Sequence, residues 1–274
     1  MTDERELVVR RRNRWQQGAL VVAGALLVAF LLAPVAGLVL GTGARELLAG
    51  LGHPLVWPAL RLSALTTAAS LVAVVVLGTP LAWVLARSPS RAARLLEALV
   101  QLPVVIPPAV AGVALLLAFG RRGLLSALYP PGFGITFTTA AVVLAQLFVA
   151  APFYVQAALS AFRRVDARLL IVARSFGAGP LRVFARIALP LAAPGLIAGA
   201  LLGWARALGE FGATLMFAGN LEGRTQTLPL AIYTALEADL RAAQALSIVL
   251  VLVALVLLLG MRALLRSFER GPER

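Results

Sequence analysis

The sequence contains no cysteine and no lysine, and its one histidine is His53. Without cysteine there is neither a disulfide framework nor a thiolate centre. Without lysine there is no phosphate-binding loop that ends in Gly-Lys-Ser/Thr, so this chain is not predicted to hydrolyse ATP by means of such a loop. The histidine, beside Pro54, is expected to pack or to meet solvent, and metalloprotease spacing is impossible. No catalytic residue, metal site or cofactor is therefore predicted for this chain.

Charged residues are also scarce. They make up 14% of the 274 residues, whereas 61% are hydrophobic and the mean hydropathy is +0.92. Soluble domains contain about half apolar and a quarter charged residues, so the composition indicates a polytopic membrane protein. The net charge of +13 would suggest a nucleic-acid partner for a soluble protein. Here the distribution of arginines between membrane spans explains the charge, and no nucleic-acid partner is predicted.

Apolar runs long enough to cross a bilayer, which requires about 20 residues, occur six times. They cover residues 19–40, 62–86, 98–119, 135–159, 191–218 and 243–265. The third run contains Pro103, Pro107 and Pro108, each of which removes a backbone donor, so this helix is expected to be kinked or partly unwound. The sequence thus predicts an all-α protein with six transmembrane helices, preceded by segment 1–18 and followed by tail 266–274.

Arginines are distributed unevenly among the segments between these spans. With the N-terminus inside, 18 of the 25 arginines lie on the cytoplasmic side, including Arg262 near the inner end of the sixth span. Six lie in outer segments, and Arg206 lies within the fifth span. Cytoplasmic segments of membrane proteins carry an excess of basic residues. Both termini and residues 163–190 are therefore predicted to be cytoplasmic.

Residues 163–190, here called the basic loop, form the longest polar stretch in the middle of the chain, with six arginines and one aspartate. The basic loop nevertheless carries an apolar set at helical spacing, which consists of Leu169, Leu170, Val172 and Phe176. A cationic, amphipathic loop suggests a surface that a soluble partner binds. The alternative is a loop that only follows the topology rule and lies on anionic lipid.

Local signals divide the basic loop into two short helices. Asp166 can cap a helix that begins near Ala167 and ends at 177–179, where Gly-Ala-Gly breaks it. Pro180 can open a second helix at its first position. Leu189-Pro190 is then expected to stop this second helix before the fifth span.

The second half of the basic loop carries a family pattern. Gly177, followed by Ile187, Leu189 and Pro190, resembles the cytoplasmic loop in permeases of binding-protein-dependent ABC importers. In that family the pattern opens with Glu-Ala-Ala, where this chain has Ile171-Val172-Ala173, so the glutamate and the first alanine are missing. The first helix of the loop thus departs from the family pattern, and the half from Gly177 onward matches it.

The resemblance implies a type I ABC importer permease fold over residues 60–265. It also implies that the loop inserts into a groove on a cytoplasmic ATPase dimer and transmits its closure to the spans. The residues that it assigns to this coupling loop are Asp166, Ala173, Phe176, Gly177, Ile187, Leu189 and Pro190.

The fifth span contains two charges four residues apart, Arg206 and Glu210. Each would cost roughly 2.5 to 3.5 kcal/mol at the bilayer centre, so both are expected to avoid lipid. The spacing places them on one face of a helix and allows an ion pair. Gly203, Gly209 and Gly212 would let another backbone approach closely. The pair either locks helix packing or faces the translocation path as a gate.

A longer stretch narrows the resemblance. ARALGEFGATLMFAGN at 205–220, and the run Arg224, Thr225, Thr227, Leu228 and Pro229, look like the signature of molybdate or tungstate importer permeases. The likeness implies a homodimer in a prokaryotic inner membrane, with an extracytoplasmic oxyanion-binding protein as a partner. Sulfate or thiosulfate importer permeases share the Gly-Glu-Phe-Gly element and are the alternative.

Two other classes fit less well. An ion-coupled secondary transporter would show inverted repeats and acidic residues in several spans, and the predicted spans contain only Glu210. An intramembrane hydrolase needs a nucleophile and a base at depth, and no His, Cys or Asp lies in any predicted span. The sequence therefore favours a permease that is not itself an enzyme.

Overall fold

The computed structural model describes residues 2–130 and 134–269, and the regular structure in this part of the chain is helical, with no strand. The predicted all-α class is confirmed. Among the described residues, five helices are long and apolar enough to cross a bilayer, or six if Arg91–Val105 and Pro108–Phe119, which are bent relative to each other, form one span. The helices are α1 (Thr2–Gly41), α2 (Ala44–Leu51), α3 (Val56–Arg87), α4 (Arg91–Val105), α5 (Pro108–Phe119), α6 (Thr139–Arg163), α7 (Ala167–Ser175), α8 (Pro180–Val183), α9 (Leu189–Leu208), α10 (Gly212–Ala218), α11 (Leu228–Ala238) and α12 (Leu240–Glu269).

Helices α3, α6 and α9 form the centre of the bundle, because α6 packs along both of the others. Tyr154 and Phe162 of α6 are fully buried in this core. Between α6 and α9 the backbones come close, since a Cβ at Gly199 would lie 2.7 Å from the Cβ of Ala157. Small residues allow such an approach in membranes, where helices gain little from hydrophobic burial against each other.

The third predicted span bends sharply, as its prolines indicate. The axes of α4 and α5 differ by 116°. Ile106 and Pro107 each precede a proline, and both adopt extended conformations, with ψ of 128° and 139°. This is the conformation that the following proline ring imposes. Helix α4 buries none of its residues, whereas α5 packs against α10.

The stop predicted at Leu189-Pro190 is wrong. Helix α8 continues through a π-helical turn, Phe184–Ala188, directly into α9. Pro190 has no N–H, and its ring would clash with the carbonyl four residues earlier in a regular α-helix. In the wider π turn, Leu189 N–H donates instead to Phe184 O, five residues back. The chain therefore passes Pro190 without leaving the helix.

The predicted span 191–218 is not one helix. Helix α9 ends at Leu208, and the short helix α10 begins at Gly212. Glu210 thus lies in a break between two helices, although the sequence predicted it inside an apolar helix. The buried carboxylate of Glu210 accounts for the break, because it accepts a hydrogen bond from Ala213 N–H at the start of α10.

Two segments that the sequence treats as connectors are helical. Helices α2 and α11 are 8 and 11 residues long, too short to span a bilayer, and both pack against α12. Val56, Leu228 and Leu246 form the buried centre of this cluster. The predicted first and sixth spans, 19–40 and 243–265, fall within α1 and α12.

Candidate functional site

The first half of the basic loop folds as its sequence predicts. Asp166 precedes α7, and its Oδ1 accepts a hydrogen bond of 2.8 Å from the backbone N–H of Arg168. An acidic cap satisfies a free amide of the first turn and opposes the positive end of the helix dipole. Ala173, on the same helix, is half-buried against the central core.

Gly177 forms the turn between α7 and α8. Its φ is +78°, the left-handed region that glycine adopts without strain. Ala178 N–H donates to Ala173 O at 3.1 Å, and Gly177 N–H donates to Arg174 O at 2.9 Å. These two bonds are the Schellman arrangement that ends a helix. A Cβ at 177 would meet no atom within 4 Å, so backbone conformation alone requires glycine here.

The predicted apolar set of the basic loop does not share one face. Leu170 is only 5% exposed and packs into the central core. Phe176, by contrast, is 87% exposed, and Leu169 and Val172 are also exposed. Ile171 and Leu181 belong to the exposed apolar group as well, although the predicted set omits them. The first half of the loop thus presents most of its apolar side chains outward, while Leu170 packs inward.

The second half of the basic loop lies along the bundle. Ile187 belongs to the π turn, and it packs with Leu189 against the central core. Pro190 is exposed at the first turn of α9. This half is therefore held by core contacts, whereas α7 is held mainly through Leu170 and Ala173.

Aromatic rings and one arginine attach the basic loop to α3. The ring of Trp83 lies 5.3 Å from that of Phe162 and 5.4 Å from that of Phe184. Arg87 donates to the carbonyl oxygens of Phe162, at 3.1 Å, and Val165, at 3.4 Å. Its guanidinium also stacks 4.8 Å from the Trp83 ring centroid. In the sequence Arg87 is one of the arginines that indicate the topology, and the one local sign of its stacking contact is a tryptophan four residues earlier.

An ion pair joins α4 to the end of α6. Arg163 donates to both carboxylate oxygens of Glu97, at 3.2 and 2.7 Å. The two side chains are partly exposed, so the pair contributes about 0–1 kcal/mol. It links α4 to the start of the basic loop.

The predicted Arg206–Glu210 ion pair forms across the end of α9. An Nη of Arg206 lies 2.9 Å from Oε2 of Glu210. The other oxygen, Oε1, accepts a hydrogen bond of 2.7 Å from the backbone N–H of Ala213, in the first turn of α10. The side chain of Glu210 is 1% exposed and that of Arg206 is 29% exposed. Glu210 therefore closes the break, while Arg206 extends toward a more open region.

The glycines of this region differ in their surroundings. A Cβ at Gly212 would lie 2.7 Å from the Cβ of Pro108, so α10 and α5 meet at their first residues. Gly203 lies against α6, where a Cβ would be 3.5 Å from Ala150 O. At Gly209 the nearest atom to a Cβ would be 3.9 Å away, in its own helix. The close approach predicted for Gly209 is therefore not present among the residues that the structure describes.

The Arg-Thr-x-Thr-Leu-Pro run lies in a tightly bonded loop before α11. Thr225 is fully buried and its Oγ1 accepts from Leu221 N–H at 2.8 Å. Ser63 of α3 accepts from Leu228 N–H at 2.7 Å, and Thr139 donates to Arg224 O at 2.9 Å. This run joins α3, α6 and α11, so its visible role is structural.

Comparison with protein families and relatives identifies the chain. The family described as binding-protein-dependent transport system inner membrane component matches residues 78–274. The molybdenum transport system permease protein ModB of Mycobacterium tuberculosis is 52% identical over 206 residues, or 75% of this chain and 78% of that protein. A probable molybdenum ABC transporter permease of Haloferax volcanii is 39% identical over 251 residues, or 91% and 90% of the two chains.

Solved structures show the same fold. A bacterial alginate ABC transporter, solved with its alginate-bound periplasmic protein, has a chain that matches 94% of this one with a TM-score of 0.74 and 17% identity. A chain of the MetNI methionine ABC transporter matches 78% with a TM-score of 0.58 and 20% identity. The chain therefore belongs to the family of inner membrane components of binding-protein-dependent transport systems, which are multi-pass permeases of ABC transporters.

Proposed function

We propose that this chain is the permease subunit of an ATP-driven importer of molybdate or tungstate. The observation that carries the substrate assignment is the 52% identity to a mycobacterial molybdenum transport permease. An extracytoplasmic oxyanion-binding protein would deliver the anion, and a cytoplasmic ATPase dimer would supply the energy. The chain would act as a homodimer in a prokaryotic inner membrane, with both termini in the cytoplasm, as the arginine distribution indicates.

The basic loop is proposed as the ATPase docking surface. Its exposed side chains Ile171, Val172, Phe176 and Leu181 form an apolar surface among arginines, which a groove on a soluble partner could bury. Phe176 is the proposed anchor, because aromatic side chains that enter a pocket contribute most to such contacts. Arg87 and Trp83 would transmit a movement of the loop to α3. Asp166 and Gly177 would keep the two loop helices at a fixed angle.

The Arg206–Glu210 pair is proposed to have a divided role. Glu210 is buried and bonded through both oxygens, which favours a structural role at the α9–α10 break. Arg206 is partly exposed and would present a positive charge to the translocation path. Its ion pair with Glu210 would partly neutralise this charge. An anion would be attracted there without being trapped. Gly212 would hold the break against α5, and Gly209 would leave room beside Arg206.

A transport assay in proteoliposomes tests the proposed function. The chain is reconstituted with its ATPase, and binding proteins loaded with molybdate, tungstate or sulfate are added in turn. ATP-dependent uptake of molybdate or tungstate, with faster ATP hydrolysis, is expected. Uptake of sulfate alone would replace the proposed substrate with the alternative one. Failure of the ATPase to bind, or uptake that survives deletion of residues 163–190, would contradict the proposed mechanism.

A further inference from the structure

Two glutamines in the membrane region contact each other on an exposed surface. Gln101 of α4 donates through Nε2 to Oε1 of Gln156 on α6, at 3.1 Å. Gln156 lies seven residues before the end of α6 at Arg163, which places it roughly 10 Å along the helix from that end. Both glutamines have mainly apolar neighbours in the sequence. Neither position is explained by the topology rule or by the basic loop.

The glutamine pair continues a polar seam between α4 and α6. Glu97 precedes Gln101 by four residues and pairs with Arg163. Ser160 follows Gln156 by four residues and is also exposed. Residues four apart lie on one face of a helix. Within the described chain, the polar side of α4 and the polar side of α6 thus meet along two successive contacts.

The other side of α4 is apolar. Leu99 and Pro103 lie two residues from Gln101, about 200° around the helix. With Pro152 and Val155 of α6 they line an apolar groove of about 390 Å³. Helix α4 therefore separates an apolar surface from a polar one.

The free hydrogen-bonding groups of the two glutamines require a polar environment. The one side-chain hydrogen bond that the described structure gives each of them leaves N–H groups on both carboxamides unused. Hydrocarbon offers no partner for such groups, and leaving them unpaired there is unfavourable. The polar side of α4 and α6 must therefore face water, a ligand or polar groups of another subunit, and not lipid.

We infer that Gln101 and Gln156 line the translocation path and donate amide N–H groups to the passing oxyanion. This inference rests on the proposed function. A tetrahedral oxyanion accepts hydrogen bonds through all its oxygens, and carboxamide N–H groups match it without a net charge. Neutral donors hold a dianion less tightly than arginines, which suits a site that must release its ligand.

Arg163, the nearest cation on the seam, is already paired with Glu97. In a two-fold dimer the path would present two copies of each glutamine.

Cysteine accessibility in the assembled transporter tests the location. The chain contains no cysteine, so single substitutions report without background. Gln156→Cys, Gln101→Cys and Ser160→Cys are expected to react with a charged, membrane-impermeant thiol reagent applied from the cytoplasmic side. Leu99→Cys is the matched control: Leu99 is 53% exposed in the chain but lies on the apolar side of α4, and its thiol should stay unreactive. Equal reactivity of Leu99→Cys and Gln156→Cys, or no reaction at Gln156→Cys with and without ATP, would overturn the inference.

Transport per ATP tests the ligand. The Gln101→Leu/Gln156→Leu double variant is expected to lower uptake per ATP about tenfold, because hydrogen bonds to a charged ligand are lost. Binding-protein stimulation of ATP hydrolysis should persist, since the basic loop is unchanged. Gln156→Asn keeps an amide and should retain more uptake than Gln156→Leu.

The outcomes separate the two proposals. Wild-type uptake of an oxyanion with unchanged uptake per ATP in the double variant would overturn the inference alone. A wild-type complex that moves none of molybdate, tungstate and sulfate would overturn the proposed function, and the oxyanion ligand with it.

Discussion

The α4–α5 break and the α9–α10 break lie against each other, yet different chemistry produces them. The first occurs where Ile106 and Pro107 precede prolines and are held extended. The second contains no proline; the Glu210 carboxylate binds Ala213 N–H and so starts a new helix. The first residues of α5 and α10 then meet at Pro108 and Gly212. One break is therefore a property of its own residues, and the other depends on a buried charge.

This difference decides how each break should respond to mutation. A break that proline chemistry sets is expected to survive loss of its neighbours, and a break that one carboxylate holds is expected to fail with it. Because α5 and α10 pack together, failure of the second break should also disturb the first. Substitutions at the two breaks can test this asymmetry directly.

Removal of the carboxylate should have the largest effect. Glu210→Ala leaves Arg206 without its counter-ion and Ala213 N–H without its acceptor, and should lower the free energy of unfolding by roughly 3 kcal/mol. This is the low end of the range for a broken buried pair, because Arg206 keeps some access to water. Thermal unfolding in detergent, followed by tryptophan fluorescence, measures it.

Glu210→Gln is the control for the cap. It retains an acceptor for Ala213 N–H but loses the charge, so its destabilisation should be clearly smaller than that of Glu210→Ala. An equal loss of unfolding free energy in both variants would mean that the hydrogen bond from Ala213 N–H to residue 210 contributes nothing. That hydrogen bond would then not be the cause of the break.

A side chain added between α5 and α10, where the two breaks meet, should have the next largest effect on stability. A Cβ at 212 would lie 2.7 Å from Pro108 Cβ, so Gly212→Ala should destabilise by about 1–3 kcal/mol through overpacking. Gly209→Ala provides the matched control, since its Cβ would have 3.9 Å to the nearest atom. Unfolding temperatures of the two variants make the comparison. Similar values for both would show that α5 and α10 do not need their close contact.

Loss of one proline should have the smallest effect. Pro108 occupies the first turn of α5, where its missing N–H needs no partner. Pro108→Ala should therefore change stability by less than about 1 kcal/mol, mainly through the unfolded chain. Because the chain contains no cysteine, one cysteine can be introduced in α4 and one in α5 for spin labelling. The distance between the two labels reports whether the 116° bend persists. A straightened helix would show that Pro108, and not Pro107 with its neighbours, sets the first break.

The same asymmetry explains how far the sequence predicts this fold. The proline kink, the Asp166 cap and the Gly177 turn follow from residues next to one another, and each is present in the structure. The α9–α10 break does not follow from neighbouring residues. Gly209 to Gly212 continue an apolar helical pattern, and only the contacts of Glu210 with Arg206 and Ala213 reveal the break. The π turn that lets the helix continue past Pro190 likewise depends on the core contacts of Ile187 and Leu189.

Side-chain directions were the least predictable part of the candidate site. Leu169 and Leu170 are neighbours of equal hydrophobicity, but one is exposed and the other packs into the core. Gln101 and Gln156 are 55 residues apart, and only the packing of α4 on α6 brings them together. Such pairings arise from the tertiary arrangement, which spacing along one helix does not contain.

Gly177 provides a test of the proposed coupling between a separate ATPase and transport through the basic loop. Gly177→Val forces a β-branched residue into a φ of +78°, at a cost of roughly 1–2 kcal/mol, and should change the angle between α7 and α8. Gly179→Val is its control, because residue 179 has a φ of −65° and open space around a Cβ.

Uptake of molybdate and hydrolysis of ATP are measured together in proteoliposomes that contain each variant, its ATPase and the loaded binding protein. Gly177→Val is expected to insert normally and to lose most uptake per ATP, whereas Gly179→Val should keep the wild-type ratio. An unchanged ratio in Gly177→Val would contradict the claim that the basic loop couples ATP hydrolysis to transport.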